Sequence, residues 1–331
     1  MNELIKKAQG SFVGLAVGDA LGQPTEGKSM EEIKANWGRI TGFLNDDPAG
    51  SDDTEYAIFN SELIFKYGYE LSTENIKNAW EEDIILQKRS FKGAGFSEMA
   101  AIDNLRKGIR PPLSGKHIHS WSDGLAMRAT PFGIIAAGNP DLAADLTRRD
   151  GYVTHSGEGI LSGEATAVAI SVAMNGATTN DIFNEVLNFL PSDSWTFRAI
   201  SRGIDVGQRY DNVWSALEPL YDEIAVDYYY WPDLGPEALG LTFGLLAVGQ
   251  NFRETVLAGV NIGRDTDTVA GIIGAIIGAR IGIDNIPEKW SKEINEVKGV
   301  CIDTVKGINI KKVATKLGKI AAEKGGEIDE N

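Results

Sequence analysis

The sequence predicts an all-α protein, and three observations carry that prediction. Apolar residues recur at helical spacing along most of the chain. No period-2 run of aromatic and β-branched residues survives beyond about four or five positions; the nearest, Asp227-Tyr228-Tyr229-Tyr230-Trp231, ends at Pro232. Glycines recur every three or four residues in two segments near opposite ends of the chain.

The first of those segments is 4–21. Leu4, Ile5, Ala8, Phe12, Leu15 and Ala16 share a helical pattern there, and Gly10, Gly14 and Gly18 form a stripe. Glycine inside a helix costs about 1 kcal/mol relative to alanine, so the stripe calls for a packing reason. Gly271, Gly274 and Gly278 make a similar stripe in a helix predicted over 266–281. The first and late helices are therefore expected to cross at short range in the core. Further helices are predicted over 54–67, 73–88, 96–107, 125–137, 140–148, 158–175, 179–189, 196–206, 211–218, 237–248, 252–260 and 288–300.

Composition bounds the rest. With 331 residues, 43% of them apolar, the chain can bury a large core. No Pro/Ser tract or charge block separates its ends, so one domain over 1–331 is expected, with the last residues, roughly ten, disordered. The 47 acidic residues outweigh 32 basic ones, for a net charge of -15. That is the wrong sign for a phosphate-neutralising nucleic-acid binder. A single cysteine, Cys301, excludes an internal disulfide and suits the cytoplasm. The N-terminus lacks a signal-peptide core. The most apolar stretch, Thr268 to Ile283, is interrupted by Arg280 and falls short of the roughly 20 residues a membrane span needs. A monomer or weak homo-oligomer without membrane partners is expected.

The loops carry the unusual residues. Ser51-Asp52-Asp53-Thr54 and Asp265-Thr266-Asp267-Thr268 each lead into an apolar helix. Helix capping explains one such residue per helix, at about 1 kcal/mol. It does not explain adjacent acids, which repel. Paired carboxylates with a hydroxyl, twice over, form a hard-oxygen set that suits Mg²⁺, Mn²⁺ or Ca²⁺. With three histidines and one cysteine, zinc lacks ligands, and His117-Ile118-His119 reads as an exposed loop pair. A third acidic segment runs from Gly18 to Glu26: Gly22 and Pro24 read as a helix stop, which leaves Glu26 unexplained.

Taken together, GDALGQPTE (18–26), SDDT (51–54), GAGFS (93–97), DGLAMR (123–128), THSGEG (154–159) and GRDTDT (263–268) resemble the ADP-ribosylglycohydrolase family from about Gly10 to Gly282. The resemblance implies an orthogonal helical bundle with a central cleft holding two Mg²⁺ or Mn²⁺ and an ADP-ribosyl-type substrate. Carried over by position, Ser51, Asp52, Asp53, Asp265, Asp267 and Thr268 would hold metal. Glu26 would act as general acid or base near the scissile bond, and Asp53 would share in catalysis. Gly95, Phe96, Gly124, Met127, Arg128 and His155 would contact substrate, with Arg128 facing phosphate. Three positions depart from the family pattern. Ser51 replaces a threonine, Arg264 replaces a glycine and so adds a cation beside the metals, and Ser97 stands where some relatives place an acid nearby.

The implied reaction is metal-dependent hydrolysis at a ribosyl anomeric carbon, where oxocarbenium charge develops. Two alternatives stand beside it. One is an N-glycosidase or phosphoesterase acting on a free nucleoside or nucleotide. The other is a non-catalytic ADP-ribose-binding or structural protein on the same fold. Trp37, Trp80, Trp121 and Trp231 could stack on a base, although tryptophan is mostly core or rim.

Overall fold

The computed structural model describes residues 2–87 and 95–328, with side chains as far as 324. The helices, in chain order, are α1 (Glu3–Gly22), α2 (Met30–Trp37), α3 (Asp52–Tyr67), α4 (Thr73–Ala79), α5 (Phe96–Arg106), α6 (Gly124–Met127), α7 (Thr130–Ile135), α8 (Pro140–Thr154) and α9 (Glu158–Met174). They continue as α10 (Thr179–Phe189), α11 (Trp195–Gly207), α12 (Val213–Ile224), α13 (Gly235–Val248), α14 (Phe252–Asn261), α15 (Thr266–Ile281), α16 (Glu288–Glu293) and α17 (Ile310–Ile328). Among the described residues the only sheet is a two-residue antiparallel ladder of β1 (Lys28–Ser29) and β2 (Gly263–Arg264). The protein is all-α, as its periodicity predicts.

The glycine stripes meet. A β-carbon on Gly14 would lie 2.1 Å from the Gly274 carbonyl oxygen, and one on Gly18 would lie 2.1 Å from that of Ala270. A β-carbon on Gly278 would lie 2.0 Å from the Gly10 carbonyl. Real atoms do not approach so closely, so α1 and α15 cross backbone on backbone. A second crossing of this kind joins α11 and α13, where a β-carbon on Gly203 would lie 2.0 Å from the Gly240 carbonyl. Around these contacts α1, α9, α13 and α15 are buried over most of their length and form the centre of a continuous apolar core.

Most element boundaries follow the predicted ones; α8 runs on to Thr154 and α12 to Ile224, each six residues past the predicted end, and three further departures have physical causes. The helix predicted over 125–137 breaks into α6 and α7 because Pro131 opens α7; inside a helix it would remove a hydrogen bond and clash with the preceding turn. The helix predicted over 73–88 widens at Trp80–Ile85 into a π-turn, where Trp80 stacks on Tyr56 at 5.3 Å. The helix predicted over 288–300 stops at Glu293. Beyond it, the N–H groups of Val300, Cys301 and Ile302 all donate to the Glu55 carboxylate. Two helices lie outside the predicted set. One is α2, opened by a Ser29/Glu32 capping box. The other is α17, which stays helical to Ile328 although disorder is expected there from the sequence; residues 329–331 lie outside the described residues.

The backbone crossing yields a stability test. Gly274→Ala should destabilise the protein by about 3 kcal/mol, the upper range for overpacking. Gly42→Ala, with nothing within 4 Å, should change stability by no more than about 0.5 kcal/mol. Urea unfolding reads both, and equal effects would show that the crossing has slack.

Candidate active site

Three helix ends meet where the α1/α15 crossing finishes. Gly22, the last residue of α1, lies against Thr266 and Asp267 at the start of α15. Thr266 Oγ1 donates to the Gly22 carbonyl at 2.9 Å and lies 3.0 Å from Thr25 Oγ1. The 3₁₀ turn Gln23–Thr25 then brings Glu26 out beside the late cluster. From the third side comes α3. Its N-cap residue, Ser51, makes no side-chain capping bond; the cap comes from Asp19 on α1. The Asp19 carboxylate accepts from Ser51 N and Ser51 Oγ, each at 2.8 Å, from Thr54 N at 3.1 Å, and from Thr54 Oγ1. Asp265, the N-cap of α15, makes no capping bond either. Capping therefore does not account for the acids of either cluster.

The two clusters touch: Thr268 Oγ1 donates to Asp53 Oδ2 at 3.1 Å. They line one cavity of about 420 Å³. Of the residues expected at the site, Glu26, Asp52, Asp53, Asp265, Asp267, Thr268, Gly95, Phe96, Gly124 and Met127 line it. Sequence reasoning missed two more acids there, Asp123 and Asp233. Asp123 opens the quoted DGLAMR motif, so a signal existed. Asp233 follows Trp231-Pro232 in an irregular segment, with no motif to mark it. Its Oδ2 accepts from Phe96 N at 3.3 Å, so an acid does stand beside the Ser97 turn, supplied from across the cavity. Ser97 itself is buried and donates to the His119 carbonyl. Gly93 and Ala94, the start of that loop, lie outside the described residues.

Seven carboxylates thus line the cavity, and no Lys, Arg or His among the described residues lines it with them. Loss of hydration, then repulsion from neighbouring acids, drives the carboxyls of Glu26, Asp52, Asp53, Asp123, Asp233 and Asp267 upward. Glu26, solvent-accessible but walled by protein at the mouth, is pushed up to about 8, with Asp265 and Asp52 adding to the burial effect. Asp52 rises to about 7 through burial and then the Asp19 charge, and Asp233 to about 7 through burial and then Asp265. Asp53, Asp123 and Asp267 are held well above the ordinary range by burial first. Behind them, Asp19 is raised to about 6 by burial, which the Thr54 and Ser51 hydrogen bonds oppose.

Three expected site residues, Ser51, Arg128 and His155, do not line the cavity. Ser51 lies one step behind it, its hydroxyl donating to Asp19. Arg128 is fully buried. Its Nε donates to Asp150 at 2.7 Å, Nη1 to Glu98 at 2.6 Å and to the Gly124 carbonyl at 3.1 Å, and Nη2 to Thr154 at 2.7 Å. A guanidinium so engaged braces the floor under Gly124 and faces no phosphate. His155 is also fully buried, between Thr154 Oγ1 at 2.7 Å and Ser122 Oγ at 3.1 Å. Burial, then the Arg128 charge, holds it well below its usual value and so neutral.

The cation expected beside the metals at Arg264 is engaged away from the cavity. Its guanidinium turns away to Glu237, with Nε donating to Oε1 at 2.6 Å. The rim of the cavity is aromatic: Tyr230 and Trp231 line it, and Trp231 leans on Phe96 with ring centres 4.0 Å apart. Of the other tryptophans, Trp80 is core, Trp37 is 40% exposed, and Trp121 packs against Tyr229 at 5.1 Å. His117 and His119, read as an exposed loop pair, are half-buried: His117 Nε2 lies 2.9 Å from the Thr154 carbonyl, and His119 Nδ1 lies 3.1 Å from Tyr229 Oη.

The donor chemistry fits hard dications. Carboxylate and hydroxyl oxygens converge, and Asp267 Oδ1 and Asp123 Oδ2 are buried without a hydrogen-bond partner. Among the described residues, no three Asp, Glu, His or Cys side chains are already drawn into a ready-made cage. The fit therefore rests on donor type and on those orphaned oxygens, not on preformed coordination.

Helix starts that gather acids and hydroxyls around one cavity, on a fold with almost no sheet, define a class of all-α protein with an oxygen-lined acidic site. The chain belongs to the ADP-ribosylglycohydrolase family, whose model matches residues 1–323. Membership points to a hydrolase. The chain is 31% identical over 300 residues to an uncharacterized protein of Archaeoglobus fulgidus, covering 88% of this chain and 92% of that one. It is 24% identical over 301 residues to the ADP-ribosyl-dinitrogen-reductase glycohydrolase of Rhodospirillum rubrum, covering 87% and 90%. A solved structure of an ADP-ribosylglycohydrolase-related protein complex shares the fold. It matches at a TM-score of 0.68 and 23% identity, over 97% of this chain and 100% of that one. Among the described residues no helix is long and apolar enough to cross a membrane.

Two outcomes follow from the charge layout. With carboxyl pKa values raised from the ordinary range near 4 toward about 7 and 8, the folded state binds more protons than the unfolded chain between those limits. Stability therefore falls as pH rises across the window. In the metal-free protein, thermal unfolding should occur at a higher temperature near pH ~6 than near pH ~8, and Mg²⁺ or Mn²⁺ should narrow the gap. A flat profile would show that the cavity carboxylates are not strained. Separately, Arg128→Met should lower stability by about 3–5 kcal/mol, because Asp150 and Glu98 stay buried without their cation. A stable variant that had lost only phosphate binding would restore the discarded role.

Proposed function

We propose that the chain is a dication-dependent glycohydrolase that cleaves the bond at the ribosyl anomeric carbon of an ADP-ribosylated substrate, either a protein side chain or a small ADP-ribose conjugate. The reading rests on one observation above all: Asp53 and Thr268, 215 residues apart in sequence, stand 3.1 Å apart inside a cavity that also holds Glu26. Asp52, Asp53, Asp265, Asp267 and Thr268 are the proposed ligands of two Mg²⁺ or Mn²⁺, with Ser51 held ready behind them by Asp19. When bound, hard dications supply Lewis acidity and a clamp for vicinal hydroxyls.

The chain's own residues do the rest. Glu26 lines the cavity beside the proposed ligands and is the proposed general acid that gives a proton to the leaving group. Asp123 and Asp233 add acceptors for sugar hydroxyls on the opposite wall. Gly124 makes room for the buried Glu98 carboxylate, which a β-carbon there would meet at 2.3 Å, and Gly95 and Gly124 both line the cavity. Phe96, Met127, Tyr230 and Trp231 form the apolar side. The whole chain is proposed to act as one domain, in the reducing cytoplasm.

An activity panel tests the reading, using ADP-ribosyl-arginine, ADP-ribosyl-serine, O-acetyl-ADP-ribose and plain nucleosides, each with and without EDTA. At least one ADP-ribosyl linkage should be cleaved, and EDTA should abolish the cleavage. Asp267→Ala should remove nearly all turnover, and Glu26→Gln should lower kcat by about 10²–10⁴. Metal-dependent activity that survives in Asp267→Ala would show that the cage is misplaced.

A further inference from the structure

Arg264 is the one non-glycine residue with a left-handed backbone among the described residues, at φ 66°. A residue holds such a conformation only where its surroundings over-determine it. Three edges of the cavity meet at this residue. Its carbonyl accepts from Gly27 N at 3.0 Å, next to Glu26, and its backbone pairs with Lys28. It directly precedes Asp265. Its side chain reaches the opposite way, into the irregular segment between α12 and α13 that carries Tyr230, Trp231 and Asp233 to the cavity.

There the guanidinium holds three backbone carbonyls as well as one side chain. Nη1 donates to the Tyr229 carbonyl at 3.3 Å, and Nη2 donates to the carbonyls of Val226 and Trp231, each at 3.2 Å. Nε and Nη2 also engage both oxygens of Glu237, at 2.6 and 3.3 Å. Glu237 Oε2 in turn accepts from Val226 N at 2.6 Å and closes the ring. The segment makes few hydrogen bonds of its own, and Tyr228 and Tyr230 are 89% and 82% exposed, so the protein core does not hold them.

We propose that Arg264 is a positioning residue that sets the aromatic wall of the cavity against the acidic one, and thereby determines which substrates the site accepts. The inference rests on the functional reading above. A lysine cannot replace it, because one ammonium cannot span three carbonyls and a carboxylate in a fixed fork. Glycine adopts this backbone freely, so Arg264→Gly removes the clamp without adding strain.

The test uses the full chain with Arg264→Gly and Arg264→Lys. Amide hydrogen exchange over 226–233, measured with neither metal nor substrate, should accelerate at least about tenfold in both variants. In the metal-loaded protein, Kd for ADP-ribose and KM for the cleaved substrate should each rise about tenfold while kcat stays within about threefold. A merely structural role would lower the active fraction, and so kcat, and leave KM alone. Unchanged exchange over 226–233, or an Arg264→Lys variant that behaves as wild type, overturns the proposal. If the wild-type chain cleaves nothing in the panel, the functional reading fails on its own, and the exchange experiment still decides the clamp.

Discussion

The α1/α15 crossing brings backbone onto backbone at Gly10, Gly14, Gly18 and Gly22, and the placement of the site depends on that. Helices that interlock through large residues can slide and repack, whereas helices in backbone contact have one register. A translation by one residue, about 1.5 Å, would drive carbonyls into the next α-carbon. The register that brings Gly10 to Gly278 and Gly14 to Gly274 also brings Gly22 to Thr266 and Asp267. Asp19, one turn before Gly22 on the same helix, then reaches the start of α3 and caps it. Thus a stripe of residues with no chemistry of their own sets the distance between the two acidic clusters.

The charges in and behind the cavity fall into two layers that obey different rules. In the inner layer every acid has a partner: Arg128 faces Asp150 and Glu98, and Asn60 donates to Asp150 at 3.0 Å. Such a buried group is stable only as a complete set. The outer layer gathers seven carboxylates with no cationic side chain between them. The positive ends of α3 and α15 offset part of that charge, but each amounts to about half an elementary charge. The strain left over, visible in the raised pKa values of Glu26, Asp52 and Asp233, is the kind of perturbation that concentrates at functional sites.

How much of this the sequence reveals depends on whether a signal is local. The glycine stripes and the acidic clusters are short patterns, legible where they lie; the crossing follows because a glycine stripe has few other uses. Arg128 and His155 mislead because their motifs mark neighbourhood and not exposure. A charged residue beside a Gly-rich turn looks the same in sequence whether its partners are substrate oxygens or the buried Asp150, 22 residues further along the chain. Asp233 cannot be read at all, since only tertiary contact brings an irregular segment over Phe96. The break inside 125–137 is legible in Pro131, whereas the early end of α16 is not, because it depends on Glu55 from another helix capturing three N–H groups.

The two walls of the cavity differ in stiffness as well as in chemistry. The acidic wall stands on helix starts fixed by the crossing, so the geometry that would hold charged groups is rigid. The aromatic wall stands on irregular backbone between α12 and α13, where loops on a rigid scaffold are free to differ among proteins that share a reaction. Such a division lets the acidic wall stay constant while the aromatic one varies. In this chain the two walls are joined at one residue, Arg264, whose backbone belongs to the acidic side and whose guanidinium belongs to the aromatic side. That junction makes the two walls neighbours in sequence as well as in space.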